Sequence, residues 1–166
     1  MTNKSCYYII LGLFMIIDVY KLRLIGKEEE SFKFDFFPNR ALLSIPEAEF
    51  SAPAQADILV EVYPEEVYIS GVLTYKISAP CSRCLKNTES FRSVEFDERF
   101  LPSQRADEEE DSALVYERDK IDLTPYFNEL ILTDLPLSIL CKENCKGLCP
   151  VCGQDLNAGD CGHHIE

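Results

Sequence analysis

Eight cysteines occur in 166 residues, and seven of them fall in a spaced pattern. Cys81-Ser-Arg-Cys84 stands mid-chain. Cys141, Cys145, Cys149-Pro-Val-Cys152 and Cys161 follow near the end, with His163-His164 behind them. Packing rarely calls for so many cysteines, so they are metal ligands, disulfides or redox thiols. Two thiolates separated by two residues in a tight turn can reach one ion at about 2.3 Å, and two such pairs with further Cys and His point to tetrahedral zinc. Residues 141–166 contain Gly147, Gly153, Gly159, Gly162 and Pro150 and are poor in large apolar groups. They cannot build a core of their own. Metal binding, on the order of 10–16 kcal/mol for small zinc peptides, suffices to order them.

Seven thiols and one imidazole make two four-ligand sites, hence two zinc ions. One partition places Cys81, Cys84, Cys141 and Cys145 in a first site, and Cys149, Cys152, Cys161 and His163 (or His164) in a second. This closes a long loop at the first site and leaves the tail site as a separate module. The rival partition joins Cys81, Cys84, Cys149 and Cys152 in one ribbon-type site. A closed, Cys-rich set reads as structural metal. Iron in a four-thiolate site, a redox CxxC, and disulfides in an exported protein are the alternatives.

Lys plus Arg is 16 and Asp plus Glu is 29, for a net charge of -13. So acidic a body is no general nucleic-acid binder. The acidity is concentrated in the second half, above all in the run at residues 107–111, which reads as a solvated loop or as bait for a basic protein. Against this background Arg83, Lys86, Lys142 and Lys146 all lie within two positions of first-site cysteines. They either offset thiolate charge or form a small basic rim for RNA or a partner. No catalytic residues are assigned: the only two histidines sit in the tail, and no paired-carboxylate or phosphate-cradling motif stands out.

Residues 7–17 form an apolar run too short to span a bilayer. No small-residue cleavage site follows it, so residues 1–14 are expected to be a mis-assigned extension, with Met15 as the start. The expected divisions are then that extension, an α+β domain over 15–140 and a zinc-binding tail over 141–166. From Met15 the sequence alternates like an edge strand, and residues 31–37 alternate again. Residues 39–56 read as loop with one short turn of helix. Residues 57–63 and 67–79 flank Pro64-Glu65-Glu66 as a hairpin, with Gly71 as a bulge or bend. Residues 91–100 supply another strand, and residues 102–112 a polar linker. Thr124 is expected to cap a helix from Pro125 to about Asp134 that buries Phe127, Leu130, Ile131 and Leu135. The fold class is α+β: a small antiparallel sheet, one packed helix and an irregular, zinc-ordered tail.

Three segments together, CSRCL at 81–85, IDLTPYFNELILTDLP at 121–136 and CKENCKGLCPVCGQDLN at 141–157, resemble the YceD family, which is linked to accumulation of large-subunit ribosomal RNA. The resemblance runs from Met15 to the end. It implies that Cys81 and Cys84 match the family's internal CxxC, and that Cys141, Cys145, Cys149 and Cys152 match the C-terminal cluster of some members. His163-His164 stand where many such tails end in Cys-x-Cys. The resemblance further implies a non-enzymatic, cytoplasmic factor in large-subunit assembly. Its partners would be a large-subunit precursor, a basic ribosomal protein or rRNA, with no small-molecule substrate and no membrane.

Overall fold

The structure is a computed structural model and describes residues 8–10, 15–105 and 113–163. Parts of the apolar run at 7–17, the acidic run at 107–111 and His164 lie outside the described residues, and of residues 1–14 only the strand β1 (Tyr8–Ile10) is described.

The best-patterned segments make the centre of the sheet. β5 (Ala54–Val62) alternates strictly between buried and open positions, and β6 (Val67–Pro80) continues from it through the turn at residues 63–66. β7 (Asn87–Pro102) pairs with β6 along the whole length of β6, Val67 opposite Phe100 and Pro80 opposite Asn87. On the other flank β3 (Glu29–Phe36) runs antiparallel to β5. β4 (Glu49–Phe50) takes up β6 where β5 leaves it. The sheet has seven strands among the described residues, in the order β1-β3-β5-β6-β7-β8, with β4 on β6. It is mixed rather than purely antiparallel, because β1 runs parallel to β3, and β8 (Leu114–Tyr116) runs parallel to β7. A separate pair joins β2 (Ile16–Asp18) to β9 (Lys120–Asp122).

The α+β class stands, with far more sheet than helix. Several expectations change in detail. The alternation from Met15 ends after three residues. Asp18 then accepts the Lys21 N–H at 2.9 Å and starts a short helix, α1 (Val19–Leu24), so the packed helix is not the only one. The stretch at 39–56 holds the expected short helical turn, a 3-10 turn (Arg40–Leu42), but is less irregular than expected in also holding β4 and the first residues of β5.

Gly71 is not a bulge: it sits in register between Ile58 and Phe96. A Cβ there would lie 2.2 Å from the Asp57 carbonyl oxygen and 2.9 Å from the Ile58 Cα, so the neighbouring strand approaches too closely for a side chain. The main helix, α2 (Thr124–Asp134), begins where expected, but Thr124 does not cap it. The Asp122 carboxylate accepts the Thr124 N–H at 2.9 Å, and Thr124 Oγ1 is buried without a hydrogen-bond partner.

One face of the sheet carries the core. Phe34, Ala56, Ile58, Val60, Ile69, Leu73, Tyr75 and Ile77 are buried there, and Phe127 and Ile131 of α2 pack among them, while Leu130 and Leu135 are half-buried. Phe127 stacks on Phe36 (5.8 Å between ring centres) and meets Phe96 edge-on (5.6 Å). The far end of α2 is clamped to the sheet. Arg92 of β7 grips Asp134 through two nitrogens (2.9 and 2.5 Å), and the Tyr75 hydroxyl donates to the same carboxylate at 2.7 Å. Arg92 above all holds the Asp134 carboxyl below the usual carboxylate range, with Tyr75 acting in the same direction. This clamp fixes the point from which the chain departs toward Cys141.

Candidate metal centre

The β6–β7 hairpin ends in the first CxxC. Its strands stay paired up to Pro80 and Asn87, so residues 81–86 form a knuckle at the tip. The Cys81 N–H donates to the Lys86 carbonyl (2.9 Å) and the Leu85 N–H to the Cys81 carbonyl (2.9 Å). Leu85 is forced to φ +60 and stands exposed. The chain leaving α2 is tied to this knuckle at Ile139, which is buried. The Ser82 N–H donates to the Ile139 carbonyl (2.8 Å), and the Ile139 N–H donates to Ser82 Oγ (3.2 Å). That contact delivers Cys141 to the hairpin tip.

Cys81, Cys84, Cys141 and Cys145 then come together with their sulfurs all within 4.8 Å of one another. Cys81 Sγ lies 3.8 Å from Cys145 Sγ, and Cys84 Sγ lies 3.6 Å from Cys141 Sγ. Four sulfurs about 2.3 Å from a central ion in tetrahedral geometry would stand about 3.8 Å apart, so the cage has the dimensions of a four-thiolate site. The same separations are far too long for S–S bonds, which measure about 2.05 Å.

The electrostatics agree with the geometry. Backbone N–H groups of Cys84 and Cys141 aim at Cys81 and hold its thiol down to about 6. Desolvation and the three neighbouring sulfurs push Cys141 up to about 12. Four thiolates cannot share this space unaided, and a divalent cation removes the conflict.

The second cluster is more local. Cys149, Cys152, Cys161 and His163 gather within the same 4.8 Å limit, with Cys149 Sγ 3.9 Å from His163 Nδ1. Cys149 begins a knuckle like the first: its carbonyl accepts the Gly153 N–H at 2.8 Å, and Gly153 occupies φ +73 where the other knuckle strains Leu85. N–H groups of Cys152 and Val151 hold the Cys149 thiol down to about 6. Three thiolates and an imidazole suit the same class of ion as the first set. The described side chains thus group as the first of the two partitions, and not as a ribbon-type site shared by both CxxC pairs. His163 supplies the imidazole nitrogen, while His164 lies outside the described residues.

The four basic residues of the expected rim are not equivalent. The Arg83 guanidinium donates to the Cys145 carbonyl at 2.9 Å and so ties the first knuckle to the tail. Gly147 (φ +77) packs against it, since a Cβ there would lie 3.1 Å from the Arg83 carbonyl oxygen. Lys86, Lys142 and Lys146 are exposed and form no ion pair among the described residues. Asn157 escaped the sequence reading altogether. Its side-chain nitrogen lies 3.4 Å from Cys145 Sγ, and its only sequence signal was an Asn five residues after the last CxxC.

Among the described residues, no helix is long and apolar enough to cross a membrane. No solved structure matches the chain. Its curated relatives include the uncharacterized protein Rv2926c of Mycobacterium tuberculosis, 32% identical over 78% of this chain and 63% of the relative. Another is the uncharacterized protein YlbN of Bacillus subtilis, 27% identical over 82% of this chain and 80% of the relative. The chain therefore spans under two thirds of the mycobacterial relative's length. A family profile described as large ribosomal RNA subunit accumulation protein YceD matches residues 69–166, which hold α2 and both cysteine clusters. By that match, the chain belongs to the YceD family.

Proposed function

We propose that this protein is a non-enzymatic factor supporting assembly of the large ribosomal subunit and accumulation of its rRNA, with a zinc ion in each cluster. The observation that carries the reading is the family match across a span that contains both clusters. Zinc is preferred to iron because closed sets of four thiolates, or of three thiolates and one imidazole, are its usual structural sites. Cys81, Cys84, Cys141 and Cys145 would hold one ion, and Cys149, Cys152, Cys161 and His163 the other. The ions would supply folding energy and nothing else.

In this reading the exposed Lys86, Lys142 and Lys146 contact rRNA at the metal-bound end, while the acidic body receives a basic ribosomal protein or docks on a basic precursor surface. Arg83 is left out of the contact because its guanidinium is engaged within the fold. The protein would act in the cytoplasm. Depleting it in its host, then separating ribosomal particles on sucrose gradients and measuring rRNA, tests the proposal. Selective loss of large-subunit particles and their rRNA is expected, and balanced subunits would refute it. Reversing Lys86, Lys142 and Lys146 to Glu should release the protein from the particles while two zinc ions per chain remain.

A further inference from the structure

Asn157 lies between Cys152 and Cys161, inside the loop that an ion on the second cluster would close, yet its side chain serves the first cluster. Nδ2 donates to Cys145 Sγ (3.4 Å) and to Asp155 Oδ1 (2.7 Å), while Oδ1 accepts the Lys146 N–H (2.9 Å). The Asn157 N–H also donates to Asp155 Oδ1 (2.9 Å). On either side the backbones join: Leu156 N–H reaches the Gly147 carbonyl (3.0 Å), and Leu148 bridges to Asp155. The stretch after the second CxxC is therefore laid along the stretch after Cys145, with the Asn157 amide at the contact.

The tail is consequently not a separate module. Four thiolates around a divalent ion leave a net charge of about −2, which N–H donors to sulfur offset, so outer-shell partners of this kind govern how tightly a site holds its metal. An amide can donate here, whereas a carboxylate of the same shape cannot.

We propose that Asn157 is a positioning residue that couples the two clusters: an ion on the second fixes the loop carrying Asn157, and the Asn157 amide then strengthens the hold of the first on its own ion. This rests on the reading that each cluster binds a metal. Filling should accordingly be cooperative, the second cluster helping the first.

Anaerobic cobalt(II) titration in competition with a chelator tests this, because four-sulfur and three-sulfur–one-nitrogen sites give distinct visible bands. Asn157→Ala and Asn157→Asp should weaken the four-sulfur site about 10–100-fold, while the other band still forms but loses the reciprocal help it gains from a filled first site. The Asp variant keeps the acceptor for Lys146 but replaces the donor with a negative charge facing Asp155 and Cys145, so it should lose at least as much as the Ala variant. Cys161→Ala should weaken the four-sulfur site by the same order although it touches none of its ligands. Combining Cys161→Ala with Asn157→Ala should cost no more than either alone. A four-sulfur affinity unchanged in Asn157→Asp, or effects that multiply in the double variant, would overturn the coupling. A wild-type protein that takes up no cobalt would overturn it together with the metal reading. Circular dichroism of each variant confirms that the sheet persists.

Discussion

The first cluster draws its ligands from the tip of the β6–β7 hairpin and from a segment beyond α2, with Cys84 and Cys141 57 positions apart. In the second, Cys149 and His163 are only 14 positions apart. By chain-closure entropy alone, the longer loop costs only about 1.2 kcal/mol more. Loop length is thus not what separates the two. The first set is largely assembled by the fold, since Cys81, Cys84 and Cys145 are buried and Ile139 is hydrogen-bonded to Ser82 before any ion is considered. In the second, Cys149 is buried but Cys152 is exposed and Cys161 half-buried, and no apolar cluster surrounds them among the described residues. One ion would dock onto structure already present, and the other would create the structure that holds it.

The comparison can be broken most forcefully by removing metal. Chelation should release residues 149–163, whose order rests on ligand energy of about 10–16 kcal/mol for sites of this kind, and leave the sheet folded. Limited proteolysis should then cut the tail while the dichroism of the sheet is retained. Loss of the sheet signal on chelation would show that the body depends on the ions as well.

Phe127→Ala should do the opposite, lowering stability in urea by about 3–5 kcal/mol without changing metal content, because the ring is fully buried between Phe36 and Phe96.

Asp134→Asn acts where body and tail meet and should cost about 2 kcal/mol at neutral pH, through loss of a charge-assisted pair with Arg92. The Asp134 carboxyl has a lowered pKa in the folded protein, so its stabilisation is complete above the unfolded value of about 3.9 and fades as pH falls from there through the folded value. The stability difference between wild type and variant should shrink over that acidic range. A constant difference would assign the cost to shape rather than charge.

The smallest effect sharpens the contrast between the knuckles. Leu85→Gly should stabilise the first by up to about 1 kcal/mol by relieving its left-handed backbone, while Gly153→Ala should weaken the second by a similar amount. Thermal denaturation with metal bound would measure both.

What could be read from the residues follows the length of each pattern. β5, β6 and α2 are long enough for periods of 2 and 3.6 to show, and the ligand spacing carried its own geometry. β1, β2, β4, β8 and β9 have two or three residues each, too few for any period, so the mixed character of the sheet was invisible. Thr124 is not the cap because it already lies in the first helical turn, with Leu123 at the cap position and its own N–H on Asp122, a shift of one residue that residue type does not mark. Gly71 looked like a bulge because close approach by Asp57 of a neighbouring strand leaves no mark in local sequence. Asn157 was hidden for a related reason, since its partners Lys146 and Cys145 lie 11 and 12 positions away.

β7 is 16 residues long, roughly 50 Å at the usual rise of a strand. At one end it meets the knuckle with Lys86. At the other it pairs with β8 and runs into residues 103–105. If the lysines at the metal-bound end contact a polyanion, as proposed, that strand is the lever that holds much of a chain of net charge -13 away from it. The distance over which the body is repelled is one that added salt should shorten.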